Sequence, residues 1–308
     1  MTRRLSDRIA VATAWLTGLG LIVAVGSVLV WLAVGGIRNV GWGFLTGSPG
    51  PGSLESGVAG GIFDPLVGTL IVTAIGILVA LPLGVGTAVF LAEYRRPLWL
   101  ARMADSGVDM IFGVPSIVFA LFGVAVFANP GLLFLSERVE SSGLATGSSF
   151  LCASLILSLI AYPPVVRATE SAILAVPAQQ REAAYALGKG RVATLRRVVL
   201  PGARPGIVTG VILGIGRIVG DTAIAVLLLG GTVLAPFAAG WWKPDEATGT
   251  LRGPGSTLTT YIYYASPAGE GNTEGKAYGA AFVLMVLILV VNFLVRLMGR
   301  RRGTVSWR

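Results

Sequence analysis

Long apolar runs and short polar interruptions alternate along the whole chain. A helix that crosses the hydrocarbon of a bilayer needs roughly 20 apolar residues. Six segments reach or approach that length: Ile9–Val34, Leu66–Leu91, Val108–Ala128, Phe150–Val166, Ile207–Leu229 and Tyr278–Leu297. The first is too long in its apolar stretch to read as a cleaved signal, and no clear small-residue cleavage site follows it. The fourth is short because Arg167 and Glu170 interrupt it; its helix is expected to continue past Pro163 and Pro164, which neighbouring helices tolerate in a membrane. The connections Thr46–Gly57 and Trp241–Ser256 are rich in turn residues. The second carries two aromatics suited to a membrane interface.

One polar island stands between the fourth and fifth runs: "EAAYALGKGRVATLRRVVLP", Glu182–Pro201. Pro177 suits the first turn of a short helix, and Gly188 suits a left-handed cap at its end. Arg191–Leu200 then places Val192, Leu195 and Val199 at helical spacing on one face, with Pro201 expected to close the stretch. The pattern predicts helix, turn, helix at a membrane surface. The small side chains of Ala183 and Ala184 would let another surface approach closely. On the pattern alone, an amphipathic hairpin that only rests on lipid would look the same.

Composition sharpens this picture. The chain has 308 residues, 54% of them hydrophobic and 13% charged, and its mean hydropathy is +0.78. Soluble domains carry roughly 25% charged residues, so an all-α membrane protein of six transmembrane helices is expected in place of a soluble core. The formal net charge is +9. Its basic residues cluster at the ends of apolar runs: Arg3, Arg4 and Arg8; Arg95, Arg96 and Arg102; Arg181, Lys189, Arg191, Arg196, Arg197 and Arg204; Arg300, Arg301 and Arg302. That distribution is the signature of membrane orientation and not of nucleic-acid binding. It puts both termini and the polar island in the cytoplasm. Histidine is absent, and Cys152 is the only cysteine. No intrachain disulfide can form, and the commonest general base and metal ligand is missing. An intramembrane enzyme therefore lacks its usual parts. A passive channel would account for buried charges but not for the polar island.

The identities within the island carry a resemblance. Glu182-Ala183-Ala184, three residues, Gly188, nine residues, Val198, one residue and Leu200-Pro201 resemble the EAA motif of ABC importer permeases, with Val198 where that family has Ile. The resemblance implies the type I ABC importer permease fold. It also implies that Glu182, Ala183, Ala184, Gly188, Leu200 and Pro201 belong to a coupling loop, at 177–204, that docks on an ATP-hydrolysing subunit. Residues 1–65 would then form a first transmembrane helix and outer loop, and 66–308 the permease core. This chain has no G-x-x-x-x-G-K-[ST] to cradle nucleotide phosphates. It is thus expected to be no enzyme and to hold no cofactor or metal, with ATP and Mg on the partner.

Further segments resemble the PstA-type permease of the phosphate-specific transport system: "GVPSIVFALFG" (Gly113–Gly123), "GRIVGDTAIAVLLLGG" (Gly216–Gly231), "GGIFDPLVGTL" and "KAYGAAFVLMVLILVVN". The PstC type shares some of them. Asp221 stands where the family has Glu. The partners so implied are a homologous PstC-type permease, two PstB-type ATPase subunits, a PstS-type phosphate-binding protein, phosphate, and the bilayer of a bacterial or archaeal cell membrane. A permease for sulfate, molybdate or phosphonate would look alike in charge and hydropathy. The residues agree on where to look. Arg217 and Asp221 lie inside an apolar run, where a central charge costs about 2.5–3.5 kcal/mol on insertion scales and marks function by default. Their spacing of four predicts a shared helix face, so they could form a substrate pathway or an internal ion pair. Arg167 and Glu170 form a second pair, either in the pathway or as a snorkelling anchor. Ser116, after the break expected at Pro115, could offer donors to an anion or simply follow a packing kink. Gly206, Gly210, Gly214 and Gly220 read as close-packing positions.

Overall fold

A computed structural model of the protein describes residues 2–49, 60–136, 147–229, 243–267 and 273–300. Trp241, Arg301, Arg302 and most of the Thr46–Gly57 connection lie outside them. The described residues are helical and contain no strand. In hydrocarbon this is one of only two solutions, because each backbone N–H and C=O must find its partner within the protein. Among the described residues, five helices are long and apolar enough to cross a membrane, and six if a pair bent by 104° counts as one span.

The chain begins with α1 (Thr2–Ile37), followed by a short α2 (Trp42–Thr46). Helix α1 lies along α13 (Glu274–Arg300), with the Trp31 and Tyr278 rings edge to face at 5.1 Å. It leaves Trp15, Leu19 and Ile22 exposed, as a helix facing acyl chains would. The centre of the fold is α3 (Phe63–Val89), α6 (Phe150–Leu174) and α9 (Leu200–Val219), which pack on one another. Val72, Phe150, Leu157 and Ile218 are buried between them. Backbones approach closely where side chains are absent. A Cβ on Gly206 would lie 2.1 Å from Cβ of Ala172, and one on Gly210 would lie 3.2 Å from Cα of Val165. Gly206, Gly210 and Gly214 thus seat α9 on α6, as small residues at spacing four allow. Gly220 departs from that expectation, since its near neighbour is the carbonyl of Gly216 in its own helix.

Helix α6 runs unbroken through Pro163 and Pro164 to Leu174, so Arg167 and Glu170 lie inside it. Two other expectations, on the extent of the fifth segment and on Pro201, need correction, and the break expected at Pro115 is present. The third apolar segment is two helices, α4 (Leu98–Gly113) and α5 (Ser116–Phe127), bent by 104°. Val114 and Pro115 are extended at the break, as a proline disfavours the helical conformation in the residue before it. The fifth helix ends at Val219, and α10 (Ala223–Leu228) begins after a break at Gly220–Thr222. Its span extends instead toward the N-terminus, from Arg191 to Val219. Pro201 does not close the preceding stretch. Helix α8 (Arg191–Thr194) passes through a π-helical turn at Leu195–Val199 directly into α9, where Pro201 occupies the first turn. The wider turn explains the burial pattern. Thr194 and Val199, five apart, face inward, whereas Val192 is exposed. Helices α11 (Pro244–Arg252) and α12 (Leu258–Ala265) complete the fold, and α12 packs on α13.

Candidate coupling and transport site

The polar island folds as the short helix α7 (Ala178–Ala186) followed by a tight turn. Gly188 has φ +74°. Its N–H donates to the Tyr185 carbonyl at 2.9 Å, and the Lys189 N–H donates to the Ala184 carbonyl at 3.1 Å. These are the paired bonds of a Schellman cap, and glycine reaches the left-handed region without the Cβ penalty. Space beside Gly188 is open, with no atom within 4 Å of an added Cβ. The two alanines divide between faces. Ala184 is buried against the chain's own helices, while Glu182, Ala183 and Leu187 are exposed. Leu200 and Pro201 are half-buried at the base of α9. The loop therefore has one face packed on the spans and one face open, apolar at Leu187 and Tyr185.

Arg217 lies in the last turn of α9 and is exposed. A cation there complements the negative end of the helix dipole. The expected sharing of a face with Asp221 does not occur, because the helix breaks at Gly220 before the next turn is made. Oδ1 of Asp221 instead accepts from the Ile224 N–H at 2.8 Å. That bond satisfies an N–H in the first turn of α10, whose N-cap position is Thr222, so Asp221 ties the break to the start of α10. Its other neighbours line a cleft of only about 10 Å³ with Thr69, Thr73, Thr257 and Thr259. Among the described residues Arg217 has no ion-pair or hydrogen-bond partner. Ser116 is the first residue of α5, which packs against α10.

Arg167 is in the opposite condition. Its Nη1 donates to Oδ1 of Asp105 at 2.7 Å and to Glu170 at 3.0 Å, and its Nη2 donates to Asp109. One cation thus meets three carboxylates and joins α4 to α6. Asp105 and Asp109 were not among the residues singled out from the sequence. Their spacing of four on a predicted helix was the available signal, since it places both on one face. Two more contacts escaped the sequence reading: Nη1 of Arg181 lies 3.2 Å from Oε1 of Glu93, and its Nη2 donates to the Ile173 carbonyl at 2.6 Å.

The profile of binding-protein-dependent transport system inner membrane components matches residues 80–304. The probable ABC transporter permease protein YqgI of Bacillus subtilis is similar, with 29% identity over 302 residues, 97% of each chain. The phosphate transport system permease protein PstA 1 of Mycobacterium tuberculosis is 34% identical over 254 residues, 82% of this chain and 75% of that protein. Among solved structures, a bacterial ABC transporter involved in alginate import aligns with a TM-score of 0.63 over 97% of both chains. At 16% identity that likeness speaks for the fold alone. The apolar spans, the short helix closed by Gly188 and a profile match over most of the chain agree. The chain belongs to the family of binding-protein-dependent transport system inner membrane components, the multi-pass membrane permeases of ABC importers.

Proposed function

We propose that this chain is the permease subunit of an ATP-driven importer that moves inorganic phosphate into the cytoplasm by alternating access. The observation that carries the reading furthest is α7: a short helix braced against the spans on one face and open on the other, closed by a glycine-dependent turn. Such a helix is a docking element for an ATPase subunit, and Glu182, Ala183 and Leu187 form its open face. Ala184 packs it against the spans, Gly188 closes it, and Leu200 and Pro201 begin α9 after the α8 turn. ATP and Mg bind on the partner, and a second permease of the PstC type completes the pathway. A PstB-type pair of ATPases docks below, and a PstS-type binding protein delivers phosphate from above. The arginine clusters support a cytoplasmic position for α7 and both termini. A cysteine at exposed Leu187 labelled by an impermeant thiol reagent from outside intact cells would invert that orientation.

The substrate assignment is supported by the PstA relative and by Arg217. Its guanidinium is exposed at a helix end and meets no carboxylate among the described residues, so two parallel donors are available to an oxyanion. Asp221 shapes this region by tying the break to the start of α10, and Ser116 begins α5, which packs against α10. Arg167 and Glu170 are assigned a different task. With Asp105 and Asp109 they sum to two excess negative charges, which repel phosphate, so the group acts as a strut between α4 and α6. The test is uptake of radiolabelled phosphate by the reconstituted complex, with sulfate and molybdate as competitors. Phosphate uptake that neither competitor suppresses supports the reading. Uptake of sulfate or molybdate in preference to phosphate would assign the permease to another oxyanion.

A further inference from the structure

The inner face of α7 makes a specific connection to the spans, through Arg181. This residue lies three positions before buried Ala184 and so shares its face. Its guanidinium reaches two different spans. One arm pairs with Glu93, in the π-helical turn that ends α3 at Phe90–Tyr94. The other donates to the Ile173 carbonyl, in the last turn of α6. A cation is favoured there, because terminal helix carbonyls lack intrahelical donors. Both side chains are largely withdrawn from solvent, Arg181 to 22% and Glu93 to 18% exposure. The 3.2 Å contact is an ion pair without hydrogen-bond geometry, and Oε1 of Glu93 and Nε of Arg181 are buried without a hydrogen bond. Beside the pair is a cavity of about 90 Å³, lined by Glu93, Tyr94, Tyr185, Arg191, Thr194 and Leu195. Thr194, 1% exposed, has an unpartnered hydroxyl. A polar space of this size admits water.

We infer that Arg181 is the positioning residue through which α7 moves α3 and α6 together. Helix α7 is joined covalently to α6 and, through α8, to α9, but α3 has no covalent link to this loop. The ion pair to Glu93 supplies a non-covalent link instead. A displacement of α7 then reaches α3 and α6 at their ends, and these two helices pack along each other and against α9, which carries Arg217. The polar space beside the pair lets the neighbouring α8 turn shift without breaking it. This inference rests on reading α7 as the ATPase docking helix.

The experiment measures phosphate transported per ATP hydrolysed in the reconstituted complex. Coupling free energies of 1–3 kcal/mol correspond to about 5- to 150-fold, so Arg181→Gln is expected to lower the ratio about fivefold or more. Co-purification with the ATPase should persist, since Arg181 faces away from the open side of α7. Glu93→Gln keeps the shape and removes only the charge, and should fall between the two. In a Cys152→Ala background, Glu93→Cys with Arg181→Cys should be uncoupled until a short bifunctional thiol reagent bridges them. Recovery of the ratio on bridging supports the role. An unchanged ratio in Arg181→Gln, or a bridged complex that stays uncoupled, overturns it. A wild-type complex that hydrolyses ATP but moves no phosphate overturns the substrate reading instead. Arg181 is then judged by whether Arg181→Gln, and not the bridged variant, releases ATP hydrolysis from control by the binding protein.

Discussion

Replacement of Gly188 isolates one physical term in the docking helix. Its φ of +74° lies in the left-handed region, and no atom lies within 4 Å of where a Cβ would stand. A substitution therefore meets no steric obstacle from the rest of the fold, and the whole penalty is local backbone strain. For a residue with a Cβ that strain is about 1–2 kcal/mol. Asparagine bears less of it, because its short polar side chain hydrogen-bonds locally in this conformation. If the loop relaxes to shed the strain, the bonds from Gly188 to Tyr185 and from Lys189 to Ala184 are lost, and the end of α7 opens. The docking-competent population then falls by at most about 5- to 30-fold, the factor that 1–2 kcal/mol represents. Titration of the purified ATPase onto permease in detergent or nanodiscs would measure this as a change in Kd. The expected order is wild type, then Asn, then Ala, then Val, with membrane level unchanged throughout. The reasoning is refuted if Ala and Val bind the ATPase as tightly as wild type, or if Asn is as poor as Val.

Three shorter predictions follow from the same geometry. Arg217→Gln should abolish phosphate uptake while ATPase association and membrane level persist, and Arg217→Lys should retain little activity because an ammonium lacks the planar fork; normal uptake by either would remove Arg217 from the pathway. Asp221→Asn keeps an acceptor for the Ile224 N–H and should leave thermal stability near wild type, whereas Asp221→Ala should cost about 1 kcal/mol for the lost hydrogen bond. A thermal-shift measurement showing equal loss in both would mean that the charge, and not the hydrogen bond, holds the α9–α10 break. Gly206→Val should destabilise the α6–α9 contact by about 1–3 kcal/mol, since even its Cβ would sit 2.1 Å from Ala172; unaltered stability and membrane level would show that the two helices separate easily.

The lengths of the apolar runs by themselves determined that this chain is helical and belongs in a membrane, because a run of about 20 apolar residues crosses hydrocarbon as a helix that satisfies its own backbone. Local chemistry was legible too. Gly188 was readable as a left-handed cap because that conformation depends on the residue itself and on bonds a few positions away. The packing role of Gly206, Gly210 and Gly214 was readable from spacing, which a continuous helix preserves. What escaped were the places where continuity fails. Residues four apart share a face only if the helix runs through them, and the break at Gly220 separates Arg217 from Asp221. The same limit applies at Leu195–Val199, where a π turn shifts the inward spacing to five and exposes Val192. Partners far apart in the chain were also out of reach: Arg167 meets Asp105 and Asp109 from α4, and Arg181 meets Glu93 from the end of α3. A charged side chain announces its own need for a partner through the cost of burial. Which distant carboxylate meets that need depends on which helices the tertiary packing has set side by side.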